Sequence, residues 1–532
     1  MLMEKNETYT ATCEGYNEDG AGVVKIDGFV IFVNGLIEHE TAEIGITKLK
    51  KNYGYGRIVR LITPSEHRVT PVCPVAKPCG GCQLQHMDDA EQRRFKQEKV
   101  RMCFRANADM EPEILPILKA QPYENYRNKV QIPVQFNKGK VEMGFYQNHT
   151  NRIVEFETCH VQSKLSNEIS AYLKQQFARF SCAKQIRHVL IKHAHRTGEV
   201  MVVLIVRNYP FENSEKLTKQ LCEKYPQIKS LSAIINRRED NVILDGKEVL
   251  ISGRPYIEET LLGCRFRISA RSFYQINPYA TEILYSKAIE AAGLTGRETL
   301  IDLYCGTGTM GIIGASKAKK VYGIEIVPDA VKDAKINAEI NGVNNIDFFC
   351  MDASKGAQAI IRSKIKADAM IIDPPRKGCS RDTIDAIVKI APQRLVYVSC
   401  DPATLARDVK ILSEEGYQLC SVQPVDMFPH TTHVETVVSL RREKVDGYVD
   451  INLNVEKLSG KSGTATYEEI REYIAEKYHM KVSTLYISQI KDKVGIQKQL
   501  TFKDRPAKGK VPTCPPEKEA AIMAAFRHFR MI

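Results

Sequence analysis

The 532-residue sequence contains no run of about 20 apolar residues, the length that a membrane-spanning helix needs. Its first residues, MLMEKNETYT, also lack the apolar core of a secretion signal. We therefore expect no membrane association and a cytoplasmic location. Without an export signal, the 15 cysteines are expected to be reduced thiols, metal ligands or a nucleophile rather than a disulfide framework.

A net charge of +12 accompanies a chain long enough for several domains. Clustered lysine and arginine side chains gain affinity for phosphates by releasing condensed counterions, so we expect a polyanionic partner. Charge alone does not distinguish RNA from DNA.

Residues 1–63 alternate apolar and polar side chains in short runs, and Asp27-Gly28 between two such runs is a hairpin signal. The pattern predicts a small, OB-like antiparallel β-barrel. Near its end lies a basic loop with interleaved tyrosines: Lys48, Lys50, Lys51, Tyr53 and Tyr55. This combination suits base stacking beside phosphate neutralisation, and the alternative is a solvated turn.

Residues 64–270 mix cysteine turns rich in proline with a helical run near residues 90–105 and apolar strands such as 200–206, which predicts an α+β domain. The pattern changes at Asn277 and Pro278, a suitable cap and first residue for a helix that Gly293 ends.

Residues 271–445 alternate strands with helix-length segments, the pattern of a doubly wound parallel sheet that binds ligands at the carboxyl ends of its strands. The predicted strands are 299–303, 321–325, 346–351, 369–373 and 394–399, with 417–422 and 434–440 completing the sheet as an antiparallel edge.

Residues 446–532 form a separate tail. After a Ser/Gly-containing stretch at 458–463, Thr466 and Glu469 offer a capping box, and Ser483 offers a second helix cap. Residues 461–532 contain 14 basic and 8 acidic side chains, a net charge of +6. The tail is predicted to be a small helical appendage, either a nucleic-acid-binding module or a docking element.

Gly306, Gly308 and Gly311 follow the first strand of the parallel sheet in the G-x-G-x-x-G spacing that lets a backbone approach a ligand closely. Glu325 ends the next strand, where a carboxylate can accept hydrogen bonds from a ribose. These residues fit NAD and S-adenosylmethionine equally. Asp352, ending the third strand, either faces an adenine or has no function.

Asp373 and Cys400 follow two further apolar strands, so both are expected at the ligand-binding edge. The double proline after Asp373 fixes the backbone and holds the carboxylate over the cleft. Asp401 and Pro402 begin a helix after Cys400, and a thiol near a helix N-terminus tends to have a lowered pKa. Cys400 is thus either a nucleophile or a buried structural thiol.

Cys73, Cys79 and Cys82 lie close together among prolines and glycines, and Cys159 follows much later. Three such thiolates and a fourth can hold either zinc or a [4Fe-4S] cluster, and the spacing favours neither. The spacing differs from the C-x3-C-x2-C pattern of radical S-adenosylmethionine enzymes.

Five motifs together resemble the RNA (uracil-5)-methyltransferases, especially their bacterial 23S ribosomal RNA branch. The motifs are Ser272-Phe-Tyr-Gln-Ile-Asn277, Asp302 to Gly311, Asp373-Pro-Pro-Arg, Ser399-Cys-Asp-Pro and Thr432-His-Val-Glu435. The resemblance covers roughly residues 5–442. It implies a multidomain α/β protein with a TRAM-like RNA-binding barrel at 1–63, a central α+β iron-sulfur insert at 64–270, a Rossmann-like class I methyltransferase domain at 271–445 and a helical extension at 446–532.

The resemblance also implies methyl transfer from S-adenosylmethionine to C5 of a uridine. C5 of uracil is a weak nucleophile until a thiolate adds at C6, and Cys400 matches that thiolate. A base must then remove the C5 proton, and Glu435 matches that base. The residues matching the S-adenosylmethionine site are Gln275, Tyr304, Glu325 and Asp373, of which the first and last are also expected near the uracil.

The 23S-type relatives hold an iron-sulfur cluster on the four-cysteine pattern. The resemblance therefore implies a [4Fe-4S] cluster with a structural or RNA-positioning role, ligated by Cys73, Cys79, Cys82 and Cys159. It favours 23S rRNA as substrate over tRNA. No DNA partner is expected, and a monomer is the default state.

Two other classes of protein compete with this interpretation. An iron-sulfur oxidoreductase would bind a dinucleotide at residues 306–311, but the Asp-Pro-Pro-Arg and Ser-Cys-Asp-Pro motifs and the barrel would then be unexplained. A non-catalytic RNA-binding or ribosome-assembly protein would retain only the fold. The joint presence of Cys400, Asp373 and Glu435 argues against that second class.

Overall fold

The computed structural model describes residues 3–148, 150–442, 465–494, 514–529 and 531. The chain divides into two compact units, Met1–Lys444 and Val445–Ile532. None of the described helices is long and apolar enough to cross a bilayer. The Ser/Gly-containing stretch at 458–463 lies outside the described residues.

The first unit begins with a closed five-stranded barrel in the order β1-β2-β3-β5-β4. Its strands are β1 (Thr8–Tyr16), β2 (Gly22–Ile26), β3 (Phe29–Val33), β4 (Thr41–Leu49) and β5 (Tyr53–Thr63). The predicted hairpin is confirmed, because Ile26 pairs with Phe29 and the two turn residues take positive φ values of 48° at Asp27 and 81° at Gly28.

The prediction of a wholly antiparallel barrel is wrong at one seam, where β3 and β5 pair in parallel. An odd number of strands cannot close into a ring in which every neighbour is antiparallel. The predicted basic loop is the tip and flanks of the β4–β5 hairpin, where Tyr53 and Tyr55 are 37% and 41% exposed.

The central region contains a seven-stranded sheet in the order β13-β12-β11-β10-β7-β8-β9 and the hairpin β14-β15. Its elements are α1 (Asp89–Ala108), β6 (Leu118–Lys119), β7 (Lys129–Asn137), β8 (Lys140–Tyr146), β9 (Ile153–Glu155), α2 (Lys164–Arg179), β10 (Ile186–His193), β11 (Val200–Val206), α3 (Ser214–Lys224), β12 (Ile228–Ile235), β13 (Lys247–Gly253), β14 (Tyr256–Leu261) and β15 (Cys264–Ser269). Every residue of β11 is buried, because both faces of this strand are covered by apolar side chains. Its continuous apolar sequence follows from that position.

The last part of the first unit is a sheet with helices on both faces. Its elements are α4 (Pro278–Ala292), β16 (Thr299–Leu303), α5 (Thr309–Ala315), β17 (Lys320–Glu325), α6 (Pro328–Ile340), β18 (Ile346–Cys350), α7 (Ala353–Arg362), β19 (Ala369–Ile372), α8 (Arg381–Ile390), β20 (Arg394–Ser399), α9 (Pro402–Glu414), β21 (Tyr417–Asp426) and β22 (Glu435–Arg442). The predicted start and end of α4 are confirmed: the Asn277 side chain accepts from the Ala280 amide at 3.2 Å, and Gly293 ends the helix with φ 60°.

The strand order is β18-β17-β16-β19-β20-β22-β21-β6, and the pairs from β18 to β20 are parallel. The expected antiparallel edge differs in position. Strand β22 is antiparallel to both β20 and β21, so it lies inside the sheet rather than at its border. The border strand is β6, which comes from the central region and pairs in parallel with β21. A two-residue strand carries no periodicity from which a sequence could predict it.

The second unit contains α10 (Tyr467–Tyr478), α11 (Thr484–Lys493) and α12 (Pro516–His528) around a core that includes Ile474 and Phe526. Both predicted caps are confirmed, since Thr466 and Glu469 form a capping box and Ser483 accepts from the Tyr486 amide at 3.3 Å. Helix α12 was not predicted. Residues 465–494 and 514–529 contain seven basic and seven acidic side chains, so the basic excess lies elsewhere in the tail.

Candidate active site

Five predicted site residues lie at one edge of the large sheet. Tyr304, Asp373 and Cys400 directly follow β16, β19 and β20, and Glu325 is the last residue of β17. Strand β22 runs in the opposite direction, so its first residue, Glu435, lies at the same edge. The edge is the carboxyl end of the parallel strands, where sheets of this kind bind ligands.

The strand register sets Cys400 opposite Glu435. Ser399 pairs with Thr436 in the antiparallel ladder between β20 and β22, and the next residue on each side gives the Cys400–Glu435 pair. The two groups also interact electrostatically, because the negative charge of Glu435 raises the pKa of Cys400. The thiol and the carboxyl group are therefore neighbours at this edge of the sheet.

Glu435 is buried, Asp373 is half-buried, and the two acids interact. Burial raises the pKa of Glu435 well above its ordinary value, and the charge of Asp373 raises it further. Burial also raises the pKa of Asp373. The Oε2 atom of Glu435 is buried without a hydrogen-bond partner among the described residues. Buried polar atoms are normally hydrogen-bonded, so this oxygen is available to a bound molecule.

The prediction of a lowered pKa for Cys400 is wrong. Burial raises the pKa of Cys400 to about 11, with Glu435 and Asp373 as further negative neighbours. Helix α9 does begin beside the thiol, as predicted. However, its first amides, those of Ala403 and Thr404, donate to the Asp401 carboxylate at 3.0 and 3.1 Å. The helix N-terminus is thus capped by an acid rather than directed at the thiol.

Arg376 is the positive group of this site, and its role was not assigned from the sequence. Its positive charge lowers the pKa of both the Cys400 thiol and the Glu435 carboxyl group, so the side chain lies close to both. The signal was present, because Arg376 is the last residue of the Asp-Pro-Pro-Arg motif. Sequence alone does not show that this side chain turns back towards the thiol.

The glycine loop and Glu325 are joined by a hydrogen bond, since Glu325 Oε2 accepts from the Gly306 amide at 3.1 Å. A Cβ atom on Gly306 would meet nothing within 4 Å, whereas on Gly308 it would lie 2.8 Å from Phe348 Cζ. Gly306 therefore borders open space and Gly308 is packed. Tyr304, just before the loop, takes a left-handed φ of 68°, a strained conformation for a tyrosine.

Asp352 has a structural role. Its side chain caps α7 by accepting from the Ser354 amide at 2.9 Å. The predicted alternative of an adenine contact is not needed to explain this residue.

Gln275 lies in the segment before α4, and the central region holds that segment in place. Asn128 Nδ2 donates to the Gln275 carbonyl at 2.8 Å. The fully buried ammonium group of Lys192 donates to the carbonyls of Ser269 and Ser272 at 2.7 and 2.9 Å. Neither Asn128 nor Lys192 was predicted, because both come from strands far away in the sequence.

The four predicted cluster cysteines lie near one another. The charges of Cys159, Cys79 and Cys73 all act on Cys82, whose pKa burial raises to about 12. The Gly81 amide donates to Cys79 Sγ at 3.4 Å, and the amides of Val161 and Gln162 lower the pKa of Cys159, which burial raises. Within the described residues, no group of three or more His, Cys, Asp or Glu side chains is arranged to hold a metal ion. The donor chemistry fits a cluster, but the thiols do not form a closed ligand shell.

A doubly wound sheet with a glycine loop and an acid at the ends of its first two strands is shared by dinucleotide-binding enzymes and by the class I, S-adenosylmethionine-dependent methyltransferases, and the further acids and thiol at this sheet edge favour the second class. Comparison with known proteins agrees with this class. Residues 89–443 match the family model described as tRNA (Uracil-5-)-methyltransferase, and residues 3–59 match the TRAM domain. The chain therefore belongs to the RNA (uracil-5-)-methyltransferase family, and it is an S-adenosylmethionine-dependent enzyme of that activity.

Individual relatives cover most of the chain. An uncharacterized RNA methyltransferase of Clostridium tetani is 40% identical over 444 residues, which are 82% of this chain and 96% of that protein. One from Oceanobacillus iheyensis is 41% identical over 449 residues, 82% of this chain and 97% of that protein. The crystal structure of Pyrococcus abyssi tRNA (uracil-54, C5)-methyltransferase in complex with S-adenosyl-L-homocysteine has a TM-score of 0.65 at 27% identity, covering 81% of this chain and 99% of that one.

These comparisons confirm the predicted family, activity, methyl donor and TRAM domain. They contradict both competing interpretations, the iron-sulfur oxidoreductase and the non-catalytic RNA-binding protein. The 23S branch, the iron-sulfur cluster and the role of each site residue stay predictions, as do the monomeric state and the cytoplasmic location.

Proposed function

We propose that this enzyme methylates C5 of a uridine in 23S rRNA through a covalent adduct between Cys400 and C6 of the base. The observation that carries the proposal is the juxtaposition of Cys400 and Glu435 at neighbouring ends of β20 and β22, with the positive charge of Arg376 close to both. This reaction needs both a nucleophile and a base, and the neighbouring Cys400 and Glu435 would supply them.

The thiol must first lose its proton to solvent, and Arg376 stabilises the resulting thiolate. Cys400 Sγ then bonds to C6, and the C5–C6 double-bond electrons shift to form an enolate. C5 takes the methyl group of S-adenosylmethionine, which leaves as S-adenosylhomocysteine. Glu435 removes the C5 proton, the double bond re-forms, and Cys400 Sγ is expelled as a thiolate.

The buried Glu435 and its acidic neighbour Asp373 suit the proton-removal step. A carboxyl group with a raised pKa holds a proton more strongly, so Glu435 is a better base than an exposed glutamate would be. Asp373 adds to this effect through its negative charge. Because the two groups interact, they titrate as a pair rather than as independent acids.

The methyl donor is proposed to bind between the glycine loop and the segment before α4, in contact with Gln275, Tyr304, Glu325 and Asp373. Glu325 supports this role, because it is fixed by the Gly306 and Val327 amides at 3.1 and 2.8 Å beside the open face of Gly306. A carboxylate held in this way can receive the two hydroxyl groups of a ribose.

A [4Fe-4S] cluster on Cys73, Cys79, Cys82 and Cys159 is part of the proposal. Four half-buried thiols, one of which accepts a hydrogen bond from a main-chain amide, suit such a cluster, which would supply a structural bridge between two distant chain segments. Iron and acid-labile sulfide analysis of anaerobically purified protein is expected to detect both elements, and their absence would sink this part of the proposal.

A tRNA is the second candidate substrate. It is favoured by the structural similarity to the P. abyssi enzyme, which is a tRNA (uracil-54, C5)-methyltransferase. The TRAM barrel and the four-cysteine pattern favour 23S rRNA instead, on the resemblance described above. The two RNAs share the same chemistry at the target base, which has to be unpaired or flipped out to reach the half-buried thiol.

The test is mass spectrometry of the protein after incubation with S-adenosylmethionine and 5-fluorouridine-substituted 23S rRNA or tRNA. Fluorine at C5 blocks the final elimination, so a methylated adduct on Cys400 is expected with 23S rRNA. Cys400→Ala is expected to abolish the adduct and methyl transfer, whereas Cys420→Ala, an exposed thiol on β21, is the matched control. Full methylation by Cys400→Ala would overturn the proposed mechanism. An adduct with tRNA alone would overturn the proposal that 23S rRNA is the substrate.

A further inference from the structure

The segment 427–434 connects β21 to β22 and leads directly into Glu435. Its main-chain carbonyls are held by side chains from other parts of the first unit. Asn277 Nδ2 donates to the Met427 carbonyl at 3.0 Å, and Lys96 Nζ donates to the Phe428 carbonyl at 2.9 Å. The Tyr126 hydroxyl donates to the Pro429 carbonyl at 3.0 Å, and Lys99 Nζ donates to the Thr432 carbonyl at 3.1 Å. A loop this short is thus fixed at half of its residues by side chains outside it.

His430 is the strained residue of the segment, with a left-handed φ of 69°. Gln92 of α1 binds it twice: Gln92 Oε1 accepts from the His430 amide at 2.9 Å, and Gln92 Nε2 lies 3.3 Å from His430 Nδ1. The His430 carbonyl accepts from the amides of Gln83 and Leu84, each at 3.0 Å. Strained conformations persist where the surroundings hold them, and they cluster at functional sites.

Lys96 fixes the start of the same segment. Its ammonium group is fully buried and bonds both Asp426 Oδ1, at 2.5 Å, and the Phe428 carbonyl. The Tyr123 hydroxyl donates to the other carboxylate oxygen of Asp426 at 2.8 Å. A buried ion pair is weak evidence for stability, because desolvation of two charges offsets much of their attraction. Its geometry does set where the segment begins.

We propose that Gln92 is a positioning residue for the general base, because it holds His430 and thereby the segment that carries Glu435 towards the target uracil. The inference rests on the base role proposed for Glu435. The opposite side of His430 is held by Gln83 and Leu84, which directly follow Cys82. Residues just after Cys82 and a side chain of α1 therefore bind the segment 427–434 from two sides.

This role predicts a defect in one step of the reaction. Glu435 acts only after Cys400 has added and the methyl group has been transferred. A displaced Glu435 therefore leaves those steps unchanged and slows the removal of the C5 proton. The methylated covalent adduct then accumulates on ordinary uridine RNA. A general loss of stability would lower every step together and accumulate no adduct.

The test compares Gln92→Met with Glu435→Gln and Gln176→Met on unsubstituted RNA. Gln92→Met nearly keeps the volume of the side chain and removes both bonds to His430. Gln176 is also a buried glutamine on a helix, but its Oε1 has no partner among the described residues, so Gln176→Met is the matched control. Gln92→Met is expected to lower kcat about 100-fold with little change in the KM for RNA, as a misplaced catalytic group does. The adduct should appear with Gln92→Met and Glu435→Gln but not with Gln176→Met.

Gln92→Glu keeps an acceptor for the His430 amide and is expected to recover part of the rate. If Gln92→Met does not fold, Lys99→Met removes a single bond to Thr432 and should give the same pattern in weaker form. The inference would be overturned if a folded Gln92→Met or Lys99→Met variant turned over as fast as Gln176→Met and accumulated no adduct. Absence of an adduct with Glu435→Gln would instead overturn the proposed base.

Discussion

The reactivity of Cys400 depends on its immediate neighbours more than on the helix that follows it. With a pKa of about 11, the thiol is largely protonated near neutral pH. The capping carboxylate of Asp401 takes the amides that would otherwise stabilise a thiolate. Arg376 lowers the pKa of both Cys400 and Glu435, so we expect its charge to set how much of each group is in its reactive form.

Replacing Arg376 with Gln should shift the pH dependence of methyl transfer to higher pH. Thiolate and carboxylate are the active forms, so kcat/KM of the wild type should rise with pH below the Cys400 pKa of about 11. Loss of the positive charge raises the pKa of both groups, and each unit of increase lowers the reactive fraction at neutral pH about tenfold. The measurement is kcat/KM as a function of pH.

Arg376→Lys is the control, since it keeps the charge and should shift the profile less than Arg376→Gln. A profile for Arg376→Gln that superimposes on that of the wild type would show that Arg376 does not set these pKa values.

Two glycines of the same loop have different roles at the scale of the element. Gly306, with φ 55°, borders open space beside Glu325, whereas Gly308, with φ 79°, packs against Phe348. The shared G-x-G spacing does not distinguish them. The packing of α6 and β18 around the loop does, because Gly308 faces Ala334 and Phe348 from those two elements.

Gly306→Ala and Gly308→Ala should therefore separate cofactor binding from stability. The alanine methyl group at position 306 would enter the proposed S-adenosylmethionine site. We therefore expect Gly306→Ala to bind S-adenosylmethionine more weakly, with a modest loss of stability. At 308 the methyl group would lie 2.8 Å from Phe348 Cζ, and overpacking of this kind costs about 1–3 kcal/mol in addition to backbone strain. Titration calorimetry and urea unfolding measure the two effects. Equal stability of the two variants would contradict this assignment.

At the scale of the whole molecule, the tail is the part outside the family pattern. The family model ends at residue 443, and the C. tetani relative matches over 96% of its own length but 82% of this chain. The second unit has its own apolar core. Its described residues carry balanced charge, so the net +6 of residues 461–532 comes from the other residues of that range.

A chain ending at Lys444 is therefore expected to keep the stability and the methyl transfer of the first unit. Its affinity for RNA should fall at low salt, and the dependence of affinity on salt should become shallower, because fewer counterions are released. Filter binding across a salt series measures this slope. An unchanged slope would show that the basic excess of the tail does not contact the RNA.

Local patterns in the sequence determined the strands, caps and chemical motifs of this protein. The five parallel strands, the Asn277 and Thr466 caps and the Asp27-Gly28 hairpin were predictable, because each depends on residues within a few positions of one another. The same is true of the motif residues at the sheet edge, since a residue that follows a parallel strand must lie there.

The tertiary structure alone decided what depends on distant residues. The odd strand count required one parallel seam in the barrel, and β6 joined the large sheet from the central region. Burial and Glu435 raised the pKa of Cys400 against the trend expected for a helix N-terminus. Gln92 contacts His430 across 338 positions of sequence, and only the folded chain brings such residues within hydrogen-bond distance.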